Sequence, residues 1–200
     1  GLVGNYYMNV IHAHTGSGGI NSAFDESGTN DTLGVNTTRT INGGDSTMLF
    51  RDTTGWFHLV IAWDTTQSSN ADRLKVYVNG SEISGFDDSI SQNTGVGYNV
   101  SGNRHYIGRN QADGYGFDGY MAEINSIDGQ QLTPTSFAEE SNGVWKPIDT
   151  AGLTFGNNGY RLKFENSSSI GNDSSGNNND FGTYGLDADH VVLDSPTFGS

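Results

Sequence analysis

Two hundred residues suit one large all-β domain or two small ones, and 29 glycines with abundant Asn, Ser, Thr and Asp, 11% aromatic and only 16% charged residues supply turns and strand faces but few helix formers. A net charge of −14 with nine scattered Lys and Arg excludes nucleic acid, which needs a basic stripe, and disfavours acidic partners. The absence of Cys removes disulfides and thiolate metal sites, and no window approaches the ~18 apolar residues of a membrane span.

Tyr6 to Ala13 and Thr47 to Phe50 read as the first strands. Trp56 to Asp64 is the clearest: Phe57, Leu59, Ile61 and Trp63 share one face, while Trp56, Val60 and Ala62 make the other apolar too, the pattern of a central strand. After the polar loop from Thr65 to Asp72, the segment Arg73 to Val78 places Leu74, Val76 and Val78 inward and Arg73, Lys75 and Tyr77 outward. Asn79-Gly80 supplies the two φ > 0 residues of a type I′ turn and returns the chain through Glu82 and Ile83.

His105 to Gly108 is a further short strand. Gly119 to Ile127 follows, with Tyr120, Ala122 and Ile124 alternating with Met121, Glu123 and Asn125 before Asp128-Gly129 turns the chain. One helical signal stands out: Thr133 as N-cap, Pro134 at the first position, and Phe137 and Ala138 as an apolar face, enough for one or two turns. Tyr160, Leu162 and Phe164 alternate with Arg161, Lys163 and Glu165, and Val191 to Leu193 is the last strand candidate. Strands without long helices between them pair antiparallel, and their number requires two packed sheets or a barrel. The expected fold is a single all-β domain over residues 1–200, an antiparallel two-sheet jelly-roll sandwich with one short helix. A start at Gly1 without Met is read as a piece of a longer chain.

Several runs carry a resemblance: Leu49-Phe-Arg-Asp52, Trp56-Phe-His-Leu-Val60, Asp64-Thr-Thr-Gln67, Asp72-Arg-Leu-Lys-Val-Tyr-Val-Asn-Gly80 and Phe117-Asp-Gly-Tyr-Met-Ala-Glu-Ile-Asn125. They continue in Ile127-Asp-Gly-Gln130, Gly143-Val-Trp145 with Pro147, Gly159-Tyr-Arg-Leu-Lys-Phe164, Asp173-Ser-Ser-Gly-Asn177, Asn179-Asp-Phe181 and Asp194-Ser-Pro-Thr197. From Thr47 onward the chain thus resembles laminin-G-like, concanavalin-A-like domains, in particular those of marine bacteriophage structural and tail proteins. Between Gly16 and Asp45 no motif matches. The resemblance implies a jelly-roll module at the virion surface or outside the cell, serving adhesion, decoration or glycan binding. The partners it implies are host cell-surface polysaccharide and other virion subunits, with a homotrimer by analogy with fibre-like relatives.

Glucanases of this fold carry Glu-x-Asp-x-x-Glu or a similar run, because retaining hydrolysis needs two carboxyl groups about 5 Å apart. None of Glu26, Glu82, Glu123, Glu139, Glu140 and Glu165 begins one, and Asp118 with Glu123 or Asp128 is a poor substitute on alternating faces. The expectation is a non-catalytic module. His12 and His14, at i and i+2, can ligate a metal only with a third donor that the sequence does not nominate, so a solvated or hydrogen-bonded pair is the simpler reading. His58 reads as a satisfied core histidine, and Trp56, Trp63 and Trp145 as core or sheet-edge residues.

Sugars are held by aromatic faces flanked by hydrogen-bonding side chains, and Tyr98, Tyr115 and Phe117 with Asn103, Arg109, Asn110 and Asp113 fit that description on loops. The competing reading is that these aromatics cover the ends of the core. Asp173, Asn177, Asn179 and Asp180 gather hard oxygen donors around Gly176, as Ca²⁺ prefers, with Asp113 to Asp118 a second candidate. A turn held by Asx hydrogen bonds has the same composition.

Overall fold

The computed structural model describes residues 7–15, 18–25, 32–37, 41–50, 55–86, 90–95, 104–109, 117 and 119–192, with the backbone alone up to residue 46. The chain forms two compact units, Gly1–Gly55 with Leu59–Gly119, and Trp56–His58 with Tyr120–Ser200. All its described sheets are antiparallel, and its described helical content is three 3₁₀ turns. The all-β expectation is met. Among the described residues no helix is long and apolar enough to cross a membrane.

Among the described residues the first unit holds two sheets. One comprises β1 (Tyr7–Thr15), β2 (Gly18–Asp25), β3 (Thr32–Thr37), β4 (Ile41–Leu49) and β8 (Arg104–Ile107), in the order β4-β3-β2-β1-β8. The other is β5 (Leu59–Trp63), β6 (Leu74–Val78) and β7 (Ser81–Ile83), in chain order. Thr47 of β4 donates its N–H to the Ser84 carbonyl, 2.9 Å, beside the end of β7.

The β5-β6 register sets Leu59, Ile61 and Trp63 opposite Val78, Val76 and Leu74, so the period-2 alternation of both strands meets on one face. Leu74, Val76 and Ile90 form the buried centre there, covered by Phe50, Leu59, Ile61, Trp63, Ile83, Phe86 and Phe117. Each such side chain contributes roughly 1.5–3 kcal/mol on burial. Val60 and Ala62 are buried on the opposite face, as the two-sided apolar pattern predicts. Asn79 (φ 47°) and Gly80 (φ 77°) make the left-handed turn between β6 and β7, again as predicted.

Two expectations for this region need correction. β5, which among the described residues pairs with β6, is shorter than expected. The strand begins at Leu59, Trp56–His58 belonging to the second unit. Arg73 is buried, not outward. Its guanidinium donates to the carbonyls of Gln67 (2.8 Å), Ser68 (2.9 Å) and Ile90 and to Asn70 Oδ1, so the loop before β6 closes around it.

In the second unit β9 (Ile124–Ser126) pairs with β12 (Tyr160–Leu162), and β10 (Ala138–Ser141) with β11 (Val144–Pro147). The strand expected over Gly119 to Ile127 shrinks to three residues because Glu123 adopts φ 51°, and Phe164 at φ 56° ends β12 in the same way. Pro134–Ser136 is a single 3₁₀ turn whose Thr133 makes no side-chain cap. Ala138, expected on a helix face, opens β10 fully buried. Val191 and Val192 form no strand, and Leu193 lies outside the described residues.

Phe155, Tyr160, Leu162 and Ile170 are buried in this unit, and Tyr160 meets Phe181 edge to face at 4.8 Å. Gly171 is required here: a Cβ on it would lie 1.9 Å from the Phe181 carbonyl oxygen.

Candidate functional site

The loop from Asp173 to Asp180 is organised around one carboxylate. Asp173 Oδ1 accepts from the N–H groups of Arg161 and Ser175, both at 2.8 Å, and Oδ2 accepts from Ser175 Oγ at 2.8 Å and Asn179 N at 2.9 Å. Burial pushes the Asp173 carboxyl up, but these donors together outweigh it and hold the group below the usual carboxylate range. Asp180 Oδ1 in turn accepts the Asp173 N–H at 2.8 Å. Asn177 Nδ2 donates to the carbonyls of Gly156 (2.6 Å) and Gly159 (2.9 Å), and Asn179 Nδ2 to those of Asn157 (3.2 Å) and Gly159 (2.9 Å).

These four residues do not fit Ca²⁺. A cation needs oxygen lone pairs turned toward it, whereas both Asp173 oxygens face hydrogen donors and two Asn side chains present their amide nitrogens to backbone carbonyls. Among the described residues no group of three or more His, Asp or Glu is placed to hold a metal. The Asx-turn alternative accounts for the composition. Of the second calcium candidate, Asp113 to Asp118, only Phe117 is described. His12 and His14 both lie in β1, where their side chains fall outside the description.

Of the seven residues proposed for sugar recognition, Tyr98, Asn103, Asn110, Asp113 and Tyr115 lie outside the described residues. The structure places the other two. Gly108, at φ 73°, turns the chain at the end of β8, and the Phe117 N–H donates to its carbonyl at 2.7 Å. Phe117 itself packs on the Leu74–Val76–Ile90 cluster, which is the core-covering reading. Arg109 is half-buried, its guanidinium carbon 5.7 Å from the centroid of the Tyr106 ring. Tyr106 escapes the sequence reading because a tyrosine inside a strand looks like packing. Its only signal is its place at the strand's exit, three residues before an arginine.

The carboxylates considered for hydrolysis have structural partners. Glu123 Oε2 accepts from Arg161 Nε and Nη2, both at 3.4 Å, and Asp149 Oδ1 accepts from Nη1 at 3.1 Å. Arg161, which alternates with the apolar Tyr160 and Leu162, has a side chain only 7% exposed, because these acids supply the partners that a buried guanidinium requires. Asp128 Oδ2 accepts from Asn158 N (3.1 Å) and Nδ2 (3.0 Å), and Asp118 lies outside the described residues.

A laminin-G family model, described as Concanavalin A-like lectin/glucanases superfamily, matches residues 3–136. The chain belongs to that superfamily. No curated protein and no solved structure matches it. The match includes the N-terminal third, where the quoted motifs fall silent, and stops before the motifs from Gly143 onward. The antiparallel sheets and the scarcity of helix accord with the β-sandwich of concanavalin-A-like domains. Since the superfamily's name covers both binders and hydrolases, membership fixes the scaffold and leaves the activity to be argued from residues.

In this concanavalin-A-like chain His58 is held in a partly buried aromatic setting between Trp145 and Phe137. Trp145 Nε1, which can only donate, bonds His58 Nδ1 at 2.6 Å, so the ring is neutral with its proton on Nε2. Phe137 lies alongside, centroids 6.5 Å apart, and burial lowers the His58 pKa to about 4. The unfolded chain therefore takes up this proton first as the solution is acidified. The stability His58 supports is complete above about pH 6.5 and declines as pH falls toward about 4, by roughly 2–3 kcal/mol. Urea unfolding across that range should show the decline in the wild type and a smaller one in His58→Gln, whose amide oxygen still accepts the indole N–H. Equal slopes would remove His58 from the account.

Proposed function

We propose that this chain is a non-catalytic recognition module of a phage virion protein, a tail fibre, spike or head-decoration domain that binds host surface glycan. The observation that carries the reading is the Arg109–Tyr106 pair at the exit of β8, on a scaffold whose superfamily includes lectins. An aromatic face with a guanidinium over it combines apolar contact for sugar C–H surfaces with planar donors for hydroxyls. The structural partners of Glu123 and Asp128 support a site without hydrolysis. The motif resemblance from Leu49 to Thr197 supports the virion setting, with neighbouring virion subunits as further partners.

Binding through one shallow site is weak, and repetition over many copies multiplies it by about 10²–10⁴. Host polysaccharide presented on a surface should retain the multimerised chain, and Arg109→Ala should weaken retention about tenfold per site, the worth of a hydrogen bond to a charged group. No reducing ends should be released. Silence across host polysaccharides would instead favour a spacer domain contacting neighbouring subunits.

A further inference from the structure

Among the described residues β8 is the last strand of the five-stranded sheet, and its register against β1 places Arg104 directly opposite His14 and Tyr106 directly opposite His12. Directly opposite residues share a face, as do residues two apart on one strand, so these positions form a block on one face of the sheet. The row through Tyr106 and His12 continues to Asn21 of β2, Asn36 of β3 and Asn42 of β4. The alternate positions, among them Ile11, Ala13, Ile20, Val35, Ile41 and Ile107, are mainly apolar. The acids on the face of the polar row stand away from the block: Asp25 is four residues along β2 from Asn21, and Asp45 is on β4.

Cations are scarce in this chain, nine Lys and Arg against 23 Asp and Glu. Arg73 and Arg161 are buried, Lys75 pairs with Asp72 at 2.9 Å, and Lys163 with Glu165 at 2.7 Å. Arg104 differs in being exposed, in a block whose other members are two imidazoles and a phenol. Arg109 follows on the same stretch of chain, with its guanidinium carbon 5.7 Å from the Tyr106 centroid. The net charge of −14 disfavours acidic partners for the surface at large, but at physiological ionic strength a surface charge is felt over only about 8 Å. A ligand seated on β8 is governed by this block and not by the total.

We infer that the glycan recognised at β8 is anionic, a polysaccharide whose sugar rings carry carboxylates, with Arg104 taking the carboxylate and Tyr106 underlying the ring. The inference rests on the glycan-binding reading of the Arg109–Tyr106 pair and adds the chemical class of the sugar. Arg104 and Tyr106 are two residues apart on one strand, about 7 Å, so a single sugar ring and its substituent reach both. A guanidinium presents parallel N–H groups that match the two oxygens of a carboxylate, whereas a hydroxyl takes them singly. Neutral imidazoles bring a donor each and no negative charge, and the Asn row beyond them brings amide donors and acceptors for the hydroxyls of following rings.

The test measures retention of the multimerised full chain on immobilised polygalacturonate and alginate, each beside its carboxyl-reduced form, which keeps the polymer backbone and removes the charge. The wild type should be held about tenfold more tightly per site by the native polymers, the worth of a charge-assisted hydrogen bond, and added salt should erode the difference. Arg104→Gln should lose the preference, and since Arg104 is exposed the variant should melt with the wild type. Lys75→Gln removes the same charge elsewhere and should keep the preference. Equal retention on native and reduced polymers, or retention on neutral host polysaccharide alone, overturns the inference and leaves glycan binding standing. A loss in Lys75→Gln as large as that in Arg104→Gln also overturns it, since net charge alone would then govern. Failure to bind any native, reduced or host polysaccharide overturns both readings.

Discussion

Replacing Asp173 with alanine is expected to cost about 3–5 kcal/mol of folding stability, because it strips the acceptor from several donors at once, each costing about 1–3 kcal/mol when left unpaired. The Arg161 N–H is the decisive one, since it sits in the buried strand β12, while Ser175 and Asn179 are half-buried and regain part of the loss from water. Asp173→Asn should fall between, as an amide nitrogen at one of the two positions then faces donors. The carboxyl is held below its ordinary range, so its contribution is present above the pH at which an unfolded aspartate ionises and disappears as acid protonates the folded group. Urea unfolding at neutral and acid pH reads both effects. Because hydrogen bonds and not an ion close this loop, the melting temperature should be indifferent to Ca²⁺ and to chelator, and a rise with Ca²⁺ would overturn this account.

Arg161→Ala should cost about 3 kcal/mol, through the loss of its packed stem and the stranding of Glu123 without its countercharge. Arg161→Met restores the stem and should recover part of that loss. Glu123→Gln alone leaves a buried guanidinium facing mainly the exposed Asp149, so it should destabilise the fold. Combined with Arg161→Met it should cost less than the sum of the two single changes. Asp149→Asn should have little effect, since Asp149 is 78% exposed and water screens its charge. Additive behaviour of Arg161 and Glu123 in chemical unfolding would show that the pair is not coupled.

The parts of the fold that could be read from sequence are those where two local signals agree. In the β6-β7 hairpin, alternation in Leu74, Val76 and Val78 coincides with Asn79-Gly80, and turn and register follow. Asn142-Gly143 is as explicit a turn, yet its flanks, Ala138-Glu-Glu-Ser141 and Val144-Trp-Lys-Pro147, do not alternate, and the hairpin goes unread. β2 and β3 are built largely from Gly, Asn, Ser and Thr, so neither periodicity nor motif announces them, and their identity rests on backbone pairing. Arg73 and Arg161 show a different limit. A charged residue in an alternating strand reads as outward, and only partners far along the chain, the Ile90 carbonyl for one and Glu123 for the other, make its burial tolerable. The Asp173 loop contains the same atoms whether built for calcium or for an Asx turn, and the direction in which the amides point decides between them.

The second unit is discontinuous, since it takes Trp56–His58 from the middle of the first. Expressing residues 120–200 by themselves would therefore omit His58 and orphan the indole N–H of Trp145. A stand-alone version calls for a redesigned connection that carries those three residues along, and limited proteolysis after Gly119 should yield two pieces that stay associated until denatured.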